Sequence, residues 1–206
     1  MGIGGKIQAL TYDRMSRKTE RMGLRELRHK VVGTAGGRVL EIGAGTGANL
    51  PHYRPDVESL TVTEPEPAML KRLGRRMRDT AVQATVLRAP AEDLPFEDAT
   101  FDTVVSTLVL CGVHDQPRAL REVRRVLKPG GRLVFIEHVR SDDAGLAKLQ
   151  DRMNGFNRVV VRCECNRPTL DTIRAAGFEV TELDRDTLRG APRFVQPLIV
   201  GTAVSP

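Results

Sequence analysis

The clearest chemical content of this chain lies in Glu41-Ile42-Gly43-Ala44-Gly45-Thr46-Gly47, preceded by the apolar pair Val39 and Leu40. Glycine tolerates positive φ and lets backbone come close to a ligand. The stretch therefore predicts a buried strand that runs into a tight turn at the carboxyl edge of a parallel sheet, where nucleosides and nucleotides bind. Gly43, Gly45 and Ala48 also fit the dinucleotide spacing G-x-G-x-x-A, and a strand-to-helix turn can use glycine with no ligand at all. Glu41 weighs on the choice, because a carboxylate two residues before the first glycine can hold a cationic group and would repel a pyrophosphate. Glu64 follows at the expected end of the second strand. A carboxylate there accepts hydrogen bonds from ribose hydroxyls, which supports a nucleoside without choosing which one.

Groups able to move a proton are few. His138, His114, Tyr12 and Asp13 are the candidates, and His138 ranks first because it ends a predicted strand at the functional edge. The three cysteines, Cys111, Cys163 and Cys165, are an odd, small number that argues for free thiols. Cys163-x-Cys165 lacks the second pair of a zinc site, and His29, His52, His114 and His138 show no metal-ligand spacing. No metal is expected.

With 206 residues, 40% of them hydrophobic, the chain suits one domain with a sizeable core. No apolar run approaches the ~18–20 residues of a membrane-spanning helix, and the first 30 residues lack the apolar core of a signal peptide, so a cytoplasmic protein is expected. The net charge is +6. Its arginines are dispersed (Arg72, Arg75, Arg76 and Arg78, then Arg118, Arg121, Arg124 and Arg125), and aromatic residues are only 4%, too few for base-stacking platforms. A nucleic-acid partner is not expected.

Positioning these groups requires alternating strands and helices. Residues 5–34 read as helical, with Leu24, Leu27 and Val31 on one face, a helix that must cover a sheet edge or the site. Strands are expected at Arg38–Ile42, Leu60–Glu64, Val82–Leu87, Phe101–Thr107, Arg132–Ile136, Phe178–Leu183 and Val195–Val204. Helices are expected near Ala48–Tyr53, after Pro65 and Pro67, after Asp115 and Pro117, and after Pro168 up to Gly177. Leu108-Val109-Leu110-Cys111 reads as an apolar segment leaving the sheet, and Ser141–Arg162 as an insertion of weak periodicity. The whole predicts an α/β fold, a doubly wound seven-stranded sheet whose last strands join without a crossover helix, so that one is antiparallel. Residues 1–35 would form an N-terminal helical cover and 141–165 an insertion or lid on a single domain spanning 1–206.

Glu41-x-Gly43-x-Gly45-x-Gly47 resembles the first motif of the class I S-adenosylmethionine (SAM) methyltransferases. Ala91-Glu92-Asp93-Leu94-Pro95-Phe96, Phe101-Asp102 and Leu127-Lys128-Pro129-Gly130-Gly131 are similar to the ubiquinone and menaquinone biosynthesis type over residues 36–140. Thr107–Cys111, Phe135-Ile136-Glu137-His138-Val139, Cys165-Asn166-Arg167 and Ala176-Gly177-Phe178 resemble the microsomal thiol methyltransferases and their bacterial relatives. The microsomal proteins carry a hydrophobic N-terminal anchor, and none is expected here from residues 1–30. The resemblance implies a class I methyltransferase (Rossmann-like) fold, SAM as cofactor, and in-line transfer of a methyl group to a small acceptor, a thiol sulfur first and a carbon or hydroxyl of a quinone, aromatic or polyketide second. It implies that Gly43, Ala44, Gly45 and Gly47 border the methionine part, that Glu41 lies near its amino group, and that Glu64 holds the ribose. Pro65 and Met69 would pack on adenine, Ala91 and Glu92 would face its edge, and Thr107 and Leu108 would line the sulfonium side. Pro90 stands where the ubiquinone type has an acid. Tyr12, Cys111, His138 and Arg167 would face the acceptor, with His138 as base. Competing expectations are a nicotinamide oxidoreductase, a nucleic-acid methyltransferase, against which the absence of an Asn/Asp-Pro-Pro-aromatic motif after the fourth strand argues, and a SAM-binding module without catalysis.

Overall fold

The computed structural model describes residues 16–78 and 83–206. Strands β1 (Arg38–Ile42), β2 (Ser59–Thr63), β3 (Thr85–Leu87), β4 (Phe101–Thr107), β5 (Leu127–His138), β6 (Glu179–Thr187) and β7 (Pro197–Val204) form one sheet in the order β3-β2-β1-β4-β5-β7-β6. Strands β1 to β5 pair in parallel, and β7 runs antiparallel to both β5 and β6. The strand order reverses between β1 and β4, which leaves a crevice at their carboxyl ends.

Strand residues alternate between two cores, one on each face. Leu40, Ile42, Val104, Leu133, Phe135 and Ile199 pack on one side, with Leu120, Val123 and Ile173 from helices α3 (Gln116–Val126) and α5 (Thr169–Ala175). Val39, Val62, Val105, Val134, Ile136 and Leu198 face the other, against Val32 of helix α1 (Arg25–Val32) and Leu73 of helix α2 (Pro67–Arg78). Burial on both faces is what the apolar runs of a parallel sheet require. Each fully buried aliphatic side chain contributes roughly 1.5–3 kcal/mol relative to exposure.

Three elements differ from their expected form. The helix before β1 is not uniform: a π-helical turn, Glu20–Leu24, precedes α1, and Gly23 within it takes φ 126°. Ala48–Tyr53 holds only a short 3₁₀ turn, Leu50–His52. Residues 141–162 contain a 17-residue helix, α4 (Ala144–Val160). Its inner face is built partly from amides, which hides the apolar periodicity. Gln150 is fully buried, and its amide donates to the carbonyls of Val139 and Cys165 while accepting from Ser141 N. Asn157 donates to the Cys163 carbonyl at 2.7 Å.

Candidate functional site

The segments that leave the parallel strands build the crevice. After β1 the chain turns through Gly43, Gly45 and Gly47, with φ of 58°, 56° and 82°. Two of these glycines are needed for packing. A Cβ on Gly43 would lie 2.7 Å from the Val109 side chain, and one on Gly47 would lie 2.8 Å from Leu50 and Leu73. Gly45 differs, since a Cβ there would meet no atom of the described residues within 4 Å. Its backbone borders open space, as a cradle for a ligand must. Ala44 is buried, and its N–H donates to the Thr63 carbonyl.

Glu64 stands beside this opening. It accepts from Gly45 N and from Glu66 N, both at 2.9 Å. One bond on each oxygen leaves carboxylate lone pairs for further donors. Burial raises its pKa above the usual 4.5, and those two backbone donors partly oppose the shift. Met69 is buried on α2 close by in sequence, while Pro65 is exposed.

Glu41 is turned into the protein. Its two oxygens accept from Asn49 Nδ2 at 2.9 Å and from Tyr53 Oη at 2.7 Å. Burial raises its pKa, while these two bonds and the nearby Arg28 pull it down. Arg28, on α1, is 4% exposed and donates to Asn49 Oδ1 at 2.7 Å, Thr107 Oγ1 at 3.0 Å and Glu20 Oε1 at 3.1 Å. Asn49 also donates to Thr107. The hydroxyl of Thr107 thus closes a polar network that ties the N-terminal helix to β1 and β4. Neither Arg28 nor Asn49 is among the site residues that sequence reasoning names. Arg28 falls on the same helical face as Leu24 and Val31, and a charge on an apolar face is the signal that could find it.

After β4, Leu108 takes φ 59°, the left-handed region that bulky residues avoid. Glu137, the penultimate residue of β5, holds this turn. It accepts from Ser106 Oγ at 2.6 Å, Val109 N at 3.0 Å and Leu110 N at 3.1 Å, and burial pushes its pKa up to about 7. Leu108 N donates to the Ile136 carbonyl. Glu137 is a positioning group that the motif carries without announcing it.

The remaining candidates separate. Ala91 is buried, and one oxygen of the half-buried Glu92 carboxylate accepts from His114 N at the head of α3. Arg167 is a structural clasp: it donates to the Leu110 carbonyl at 2.9 Å and pairs with Glu164 at 3.1 Å. Cys111 and His138 are buried together with Cys163. Burial lowers the pKa of His138 to about 4, so its ring is neutral. Tyr12 and Asp13 lie outside the described residues. At the opposite edge of the sheet, a concavity of about 430 Å³ is lined by Asp98, Arg121, Arg125 and Ser205. It holds no comparable set, and Arg125 there already pairs with Asp98 and Glu122.

Residues 40–135 match the family model described as methyltransferase domain. The thiol S-methyltransferase TMT1B of Homo sapiens is 36% identical over 192 residues, which covers 87% of this chain and 77% of that protein. The chain belongs to the class I SAM-dependent methyltransferases. This methyltransferase is also 37% identical, over 122 residues, to the ubiquinone/menaquinone biosynthesis C-methyltransferase of Idiomarina loihiensis, covering 56% of the chain and 48% of that protein. A solved structure of geranyl diphosphate methyltransferase in complex with SAM superposes with a TM-score of 0.69 at 15% identity, over 89% of this chain and 85% of that one, a likeness of fold. The cofactor is SAM, and the open Gly45 backbone beside Glu64 suits a ribose-bearing ligand. No helix among the described residues is long and apolar enough to cross a membrane.

Proposed function

We propose that this methyltransferase methylates the sulfur of a small thiol. The observation that carries the reading is the commitment of the acids at the crevice: Glu41, Glu92 and Glu137 each accept from protein donors, and His138 is buried among cysteines. That these described groups are already engaged favours an acceptor that ionises by itself. A thiol of pKa ~8.5 is a few per cent thiolate near neutral pH and is intrinsically nucleophilic. Kinship with a protein named thiol S-methyltransferase over most of its length supports the same class. A second reading, a carbon or hydroxyl acceptor, draws on the likeness to the C-methyltransferase but requires a placed base.

SAM supplies a methyl group already activated on a sulfonium, and transfer forms the acceptor sulfur–carbon bond as the sulfonium–carbon bond breaks in line. The protein's part is to bind and orient. In this reading Gly43–Gly47 lets backbone approach the methionine part, and Glu41 acts through Asn49 and Tyr53, which it fixes. Glu64 accepts from the ribose hydroxyls, Pro65, Met69 and Ala91 border the adenine, and Thr107 and Leu108 line the reacting side. Holding two reactants in line can supply roughly 7–11 kcal/mol of the barrier. The test is a panel of small thiols and their hydroxyl analogues with radiolabelled SAM. Thiols are expected to turn over with a rate that rises with pH. Turnover of hydroxyl or carbon acceptors with no thiol product would overturn the assignment.

A further inference from the structure

Behind the Leu108 turn lies a cluster that the methyl-transfer chemistry does not use. Cys111 follows β4, His138 ends β5, and Cys163 lies between α4 and α5. Their ligand atoms all lie within 4.8 Å of one another, and all three side chains are buried. The surroundings are apolar, with Val161, Phe194 and Val195 packed against the cysteines. The cysteines are free thiols. The Pro197 and Val195 carbonyls act on the His138 ring and partly oppose the effect of its burial, and its Nδ1 is buried with no hydrogen-bond partner among the described residues. A buried ring nitrogen without a partner costs free energy and calls for an explanation. A buried imidazole beside two thiols, with a ring nitrogen left unpartnered, offers the kind of donor set a metal takes.

We propose that Cys111, His138 and Cys163 bind a zinc-type divalent ion. Two sulfurs and one imidazole are the donor set that Zn²⁺ takes in tetrahedral sites, with Zn–S near 2.3 Å and Zn–N roughly 2.0–2.1 Å. An ion at the centre of the three atoms is no more than about 2.8 Å from each, so closure needs shifts of about half an ångström. Binding releases the two thiol protons to solvent. Three protein ligands leave one coordination position for water or another donor. Spacing along the chain conceals this set, because each ligand comes from a different element.

The ion would fasten a segment that crosses the carboxyl edge. Residues 161–167 hydrogen-bond to Cys111 through Glu164 N, to Leu110 through Arg167 and to Arg140 N through the Arg167 carbonyl. Arg162 reaches Glu66, beyond the end of β2, at 3.5 Å. A metal tie from Cys163 to the ends of β4 and β5 would hold this segment over the crevice and beside the Leu108 turn.

The test loads reduced, chelator-treated full-length protein with Zn²⁺ and reads stoichiometry by elemental analysis and affinity by competition with a chromophoric chelator. One ion per chain is expected, with affinity lowered at least 100-fold in Cys163→Ser and nearly unchanged in Cys165→Ser, whose sulfur lies outside the trio. Co²⁺ in place of zinc should give the intense visible bands of a tetrahedral site together with thiolate-to-metal charge-transfer absorption, a readout that needs no variant. Absence of both binding and the cobalt spectrum would overturn the proposal. So would equal loss in the two serine variants, or a Cys111–Cys163 disulfide whose reduction yields no metal binding.

Discussion

Glu137 offers the sharpest check on how the crevice is held open. Replacing it with alanine removes an acceptor for Ser106 Oγ, Val109 N and Leu110 N. The serine hydroxyl can rotate to another partner, but the two N–H groups cannot, and Leu110 is fully buried. Each orphaned buried donor costs about 1–3 kcal/mol. Release of Leu108 from its left-handed conformation would return part of this, on the order of 1 kcal/mol. The net expectation for Glu137→Ala is a loss of about 3 kcal/mol. In a chain of this size that lowers Tm by roughly 6–12 °C. Glu137→Gln is more instructive. Its oxygen can keep Ser106 and Val109, but its NH₂ then faces the Leu110 N–H, donor against donor, at a cost of about 1–2 kcal/mol. Urea denaturation and calorimetry of the three proteins give the ranking. Because the turn borders the reacting side in the proposed assignment, kcat should fall more than SAM affinity in both variants. An alanine variant within 1 kcal/mol of the parent, or a glutamine variant less stable than the alanine one, would refute the role of Glu137 as the clamp on this turn.

Two further predictions concern the cofactor. Glu64→Gln should weaken SAM binding at least tenfold, about 1.4 kcal/mol, in a calorimetric titration. Since burial raises the Glu64 pKa above 4.5 and the ionised form is the better acceptor, affinity of the parent should hold at neutral pH and fall as pH drops through that raised value. The glutamine variant should lack this decline, and equal affinity of the two proteins at pH 7 would place the ribose elsewhere. Gly45→Ala and Gly47→Ala should separate binding from stability. The first introduces a Cβ into open space and should abolish measurable SAM binding while costing about 1–2 kcal/mol of stability from positive φ alone. The second pushes a Cβ against Leu50 and Leu73 and should destabilise further by about 1–3 kcal/mol. Unchanged SAM affinity in Gly45→Ala would remove that backbone from the site.

Much of the fold is legible in the sequence because its signals are local. Apolar runs mark the central strands β1, β2, β4, β5 and β7, and the connection from β6 to β7 without a crossover foretells the antiparallel strand. The boundaries move where pairing extends a strand beyond its apolar run: β6 continues to Thr187 because β7 offers partners as far as Pro197. The α4 helix escapes notice because Gln150 and Asn157 dock it through amides rather than methyl groups. The trio of Cys111, His138 and Cys163 is invisible for a related reason, since its members are separated along the chain and only the fold brings them together.

The acids at the crevice show why motif positions alone do not assign roles. Glu41, Glu64 and Glu137 all stand at or just beyond the carboxyl ends of parallel strands, and burial raises the pKa of each. Their surroundings differ. Glu41 meets an amide and a phenol and becomes part of the scaffold. Glu137 meets the backbone of a strained turn and holds it. Glu64 meets one backbone N–H per oxygen and lies beside Gly45, whose backbone borders open space. Of the three, it is Glu64 that keeps acceptor capacity next to that opening. Residue type and spacing bring three carboxylates to one edge. Glu41 and Glu64 each carry one donor per oxygen, so it is position beside the Gly45 opening, not the number of donors, that sets Glu64 apart.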